Sequence, residues 1–92
     1  MDYTQDEYGV VHIKETETHF ICLQQMIFNW RLVTAPKDDP LGYDRGWCYF
    51  GTDKESFTKA ALAAEAWDGA EDTEPPGWNK NIKTGEIRRE ER

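Results

Sequence analysis

The sequence predicts a small α+β domain, an antiparallel sheet of three to five short strands with one amphipathic helix packed on a face. Three observations carry this. Between residues 10 and 50, aromatic and β-branched residues come in short runs broken by polar and turn-forming ones, the pattern of strands. Residues 53–69 form an alanine-rich run with an acidic start and a closing glycine, the signature of one good helix. The chain has 92 residues and 38% hydrophobic content, enough for one core and too little for two.

Each element has its own reason. Residues 1–8, "MDYTQDEY", are polar and acidic and are expected to form a flexible arm. "GVVHIKETETHFICLQQ" suggests a hairpin. Val11 and Ile13 share one face of its first strand, and Phe20, Cys22 and Gln24 share one face of its second. A break falls near "LQQM". Phe28, Trp30 and Leu32 then alternate with Asn29 and Arg31, a half-buried strand. "APKDDPLGYDRG" is a long loop with two Pro and two Gly, and it leads into the strand "WCYFGT". Antiparallel pairing of residues 27–34 with 46–51 follows.

The helix is expected over residues 53–68. Thr52 and Glu55 match a capping box, and Gly69 supplies the stop. Phe57, Ala60 or Ala61, Ala64 and Trp67 fall on one helical face. "AEDTEPPG" reads as a linker. Ile82 and Ile87 flank "KTGE" and suggest a small hairpin, so the domain runs over residues 9–87, with a charged tail at 88–92. Phe28, Trp30, Leu32, Cys48, Phe50, Phe57, Leu62 and Trp67 are the expected core. In "YDRGWCYF", Cys48 and Phe50 should face inward beside Phe57, with Trp47 and Tyr49 on the opposite face.

Charge narrows the function classes. The net charge of −7 opposes direct nucleic-acid binding, which needs Lys and Arg against phosphates, and suits a basic partner. No apolar run approaches the length of a membrane-spanning helix. The N-terminus is acidic where a secretion signal would be basic and then apolar, so a cytoplasmic location is expected, with Cys22 and Cys48 as thiols.

The chemical constellations are weak. His12, His19, Cys22 and Cys48 could ligate zinc, but no Cys-x-x-Cys pair is present and His19 and Cys22 point to opposite faces of a strand. Cys48 has no oriented base in the pattern, and Asp38, Asp39 and Asp44 lack an accompanying phosphate-binding glycine motif. The expectation is therefore no catalytic residue, no metal and no cofactor. Tyr43, Arg45 and Trp47 are the residue types of interface hot spots, placed at the end of a long loop. Trp78 has two readings, a partner contact or an anchor folded back onto the sheet. These four are the partner-binding candidates.

"NWRLVTAPKDDPLGYDRGWCYFGT", "LAAEAWDG" and "EPPGWNKNIKTGE" together resemble small uncharacterised proteins of actinobacteriophages, mycobacteriophages in particular, over about residues 29–86. The resemblance implies a phage gene product acting in the host cytoplasm and brings no activity with it. The expected function is a non-enzymatic accessory protein that binds a host or phage protein. The alternative is a nucleic-acid mimic that blocks a DNA-binding enzyme through its carboxylates. The resemblance leaves out the first 25 residues, so a chain beginning at Met26 is expected to fold.

Overall fold

The structure is a computed structural model that describes residues 3–38, 43–69 and 73–88. The chain is α+β, as the pattern predicts. Strands β1 (Val10–Glu15), β2 (His19–Gln25), β3 (Asn29–Pro36), β4 (Tyr43–Phe50) and β5 (Lys80–Asn81) form one antiparallel sheet in sequence order. Helix α1 (Lys54–Ala66) lies between β4 and β5 in the chain and packs on one face.

Register explains which residues go inside. Leu23 pairs with Leu32, Ile21 with Thr34, and Trp30 with Tyr49. Each pair points the same way, towards the helix. These residues, with Val11 and Ile13 of β1, meet Ala60, Ala61, Ala63, Ala64 and Trp67 in one core. Four alanines bring the helix backbone close to the sheet, and the aromatic rings fill the remaining space. Leu62 stands two residues from both Ala60 and Ala64, about 200° around the helix. It is therefore 66% exposed, contrary to expectation.

The faces of β4 are the reverse of those expected. Tyr49 is buried against the helix and Trp47 packs on the same core, while Cys48 and Phe50 point to the other face. Large residues occupy both faces, so the sequence held no polar alternation to fix the phase, and a shift of one residue inverts it. Cys48 is buried all the same, beneath that second face. Phe28 lies beyond the end of β3 and is exposed.

Two local features differ from the sequence reading. The helix is capped by Asp53, not Thr52: the Asp53 carboxylate accepts from the Ser56 N–H at 3.1 Å. Ser56, through its hydroxyl first and then this backbone N–H, holds the Asp53 carboxyl below its ordinary pKa. The N-terminal arm is docked from Tyr3 onward. Its ring meets Phe57 edge-on at 5.9 Å and its hydroxyl donates to Glu65 Oε1 at 2.7 Å. Gln5 bridges to Val11 on the outer side of β1.

Beyond the helix, the chain crosses back through Pro75 and Trp78, both buried. The hairpin over "KTGE" is present, with Lys80 bridged to Ile87. Gly46 has φ +87°, and a Cβ there would lie 2.6 Å from Asn81 Oδ1. Glycine at this irregular point of β4 lets β5 approach. Among the described residues no helix is long and apolar enough to cross a membrane.

Candidate functional site

The helix covers one face of the sheet, and no described element covers the other. Along the uncovered face, His12 pairs with Cys22, Cys22 with Val33, Arg31 with Cys48 and Asn29 with Phe50. Its middle is half-buried by its own side chains, and the Arg31 guanidinium donates to Gln24 Oε1.

One end of this face is apolar. Gln25 pairs with Trp30, and Met26 N–H donates to the Asn29 carbonyl at 2.8 Å. Ile27 and Phe28 are thus the two-residue apex of the β2–β3 hairpin, and both are 81% exposed. Tight hairpin turns favour Asn, Asp and Gly, which tolerate positive φ. No described non-glycine residue has a positive φ, so this apex turns without the usual chemistry and presents two large apolar side chains to water. Phe50, 49% exposed, and Ile82 stand next to it. Phe28, Asn29, Cys48, Phe50, Lys80 and Ile82 line a shallow groove of about 260 Å³. A cluster of exposed apolar side chains in an otherwise charged chain is a candidate interaction surface.

The partner-binding candidates read from sequence fare differently. The side chains of Tyr43 and Arg45 lie outside the described residues. Trp47 is half-buried, its ring 4.8 Å from that of Trp78 at 47°. Trp78 is only 2% exposed, and Arg88 covers its ring at 4.1 Å. Its indole N–H points to Glu74 Oε2 at 3.4 Å. Trp78 is therefore an anchor of the returning chain and offers no open face to a partner. The surface that sequence reasoning missed is Ile27, Phe28, Phe50 and Ile82. The one signal for it in the sequence is the break near "LQQM", directly before the Ile-Phe pair.

Other chemistry-bearing groups are accounted for by the fold. His12 Nδ1 lies 3.8 Å from Cys22 Sγ. Burial, and then the charge of Asp6, push the Cys22 thiol pKa up, the opposite of what a nucleophile needs. A cleft of about 320 Å³ at the start of the helix is lined by Asp53, Glu55, Ser56 and Lys59, among others. Asp53 is committed there as the helix cap. Among the described residues no group of three or more His, Cys, Asp or Glu could hold a metal ion. No family model, no curated protein and no solved structure matches the chain.

Proposed function

We propose that this chain is a non-enzymatic protein-binding module, an accessory protein of the kind its resemblance to actinobacteriophage proteins implies, and that it meets a host or phage protein in the host cytoplasm. The observation that carries the reading is the hairpin apex, where Ile27 and Phe28 are held in water beside Phe50 and Ile82. Such exposure contributes nothing to the fold and favours any surface that covers it. The nucleic-acid mimic has less support. Several described carboxylates are engaged within the chain, Glu15 with Lys37, Glu65 with Tyr3 and Glu74 with Arg88.

The test is capture from a host lysate on immobilised protein, comparing the unaltered chain with Phe28→Ser, Phe50→Ser and Leu62→Ser. Leu62 is equally apolar and exposed but lies on the helix. Proteins retained by the unaltered chain and by Leu62→Ser, and lost with either Phe variant, support the reading. Equal capture by all four proteins overturns it.

A further inference from the structure

We propose that the groove at the hairpin end of the open face takes an acidic, apolar peptide segment of a partner protein. One apolar side chain would seat against Phe28, Phe50 and Ile82, and a neighbouring carboxylate would pair with Lys80. This rests on the protein-binding reading above and names the chemistry of the partner.

Three observations select this occupant. The first is charge. Among the described residues Lys80 is the only charged one lining the groove, in a chain whose net charge is −7. Lys80 has no ion-pair partner among the described residues. A cation set among apolar side chains rewards an anion there more than it would in open water, because the surrounding surface lowers the local dielectric. The basic partner that overall composition suggests would have to bring like charge to this ammonium.

The second is size. About 260 Å³ lies at the lower edge of what small-molecule sites offer and suits one side chain of a peptide. The third is the repulsion between copies. Two chains of −7 each repel on approach, and the same charge opposes an anionic bilayer. A short acidic segment adds much less repulsion and gains the contact with Lys80.

The experiment is selection of a library of short random peptides on the immobilised full chain, followed by fluorescence-anisotropy titration of the strongest peptide. Selected peptides should carry Asp or Glu beside Phe, Leu, Ile or Trp. Lys80→Glu should weaken the strongest peptide about tenfold or more, as loss and reversal of a partly desolvated charge pair does. Phe28→Ser should weaken it comparably while the melting temperature stays near that of the unaltered chain.

Selection of basic or uncharged peptides, absence of any enrichment, or indifference to Lys80→Glu overturns the acidic occupant. Peptides that bind Phe28→Ser and Phe50→Ser at full strength overturn the face itself, and with it the protein-binding site proposed above. Sedimentation showing a dimer that Phe28→Ser dissociates assigns the face to a second copy and overturns the acidic peptide alone. Co-sedimentation with phosphatidylcholine vesicles that is lost in Phe28→Ser assigns the apex to a membrane and overturns both.

Discussion

The backbone N–H of Gly51 donates to the carbonyl oxygen of Phe28 at 2.8 Å. This bond ties the β2–β3 hairpin apex to the end of β4, so the exposed ring of Phe28 sits on a fixed turn beside Phe50. Apolar residues at a freely moving loop tip would lose part of any binding energy to ordering. Here the backbone beneath them is already placed.

That arrangement separates stability from recognition. Leu32 is fully buried between the sheet and the helix, and Leu32→Ala should cost about 2–5 kcal/mol. Phe28→Ser should stay within about 0.5 kcal/mol, as exposed substitutions do. Phe50 is half exposed, so Phe50→Ala should fall between them, at about 1–2 kcal/mol. Chemical denaturation of the three variants gives the order directly. A cost for Phe28→Ser equal to that of Leu32→Ala would mean that the apex belongs to the core.

Gly46 should tolerate no side chain. Its φ of +87° is strained for any other residue, and a Cβ would press on Asn81 Oδ1 at 2.6 Å and Lys83 N at 3.1 Å. Gly46→Ala is expected to cost about 2 kcal/mol or more and to loosen β5 first. Amide exchange should show early loss of protection at Asn81 and Ile82, whose N–H groups bond to Glu86 and Gly46. Unchanged protection there would show that β5 does not depend on the close approach.

The two thiols should react at different rates. Cys22 is half-buried with its pKa raised by desolvation. Its alkylation at neutral pH should be slower than that of an ordinary thiol and should accelerate only at a more alkaline pH. Cys48 is buried and should react on the timescale of unfolding. Iodoacetamide labelling followed by mass spectrometry reads both. Equal rates, or fast labelling of Cys48 in the native protein, contradict the burial of that thiol.

A chain beginning at Met26 should not fold, against the expectation from sequence. It loses Val11, Ile13, Ile21 and Leu23 from the core, and β3 loses its partner on one side. Its circular dichroism should be that of an unfolded chain at low temperature. A cooperative melt for the shortened chain would show that the helix and the β3–β4 hairpin suffice.

Fold class, the helix and the β3–β4 pairing were legible because each rests on local pattern. The alanine-rich run within residues 53–69 carries the helix, which ends at Ala66, and the Pro- and Gly-rich loop before β4 left the flanking strands only an antiparallel return. The inner face was not legible. In "WCYF" every position is apolar, so period two offers two equal solutions, and only the register with Trp30 selects Tyr49. Leu62 has the residue type of a core position, but its angle around the helix turns it to water. The candidate surface was hidden for a related reason. Ile27 and Phe28 look like strand core until the hairpin is known to turn at them.

Strand order equal to sequence order has a kinetic consequence. Each of β1 to β3 pairs with the next strand to leave the ribosome, so these three closures span short loops and cost little entropy, while β5 reaches β4 only across the helix. Such local topology favours fast folding for a β-rich chain. The helix brings longer closures, the hydrogen bond spanning the most chain among the described residues being that between Tyr3 and Glu65, 62 residues apart. Tyr3 must wait for the helix to be made before its ring and hydroxyl find their partners.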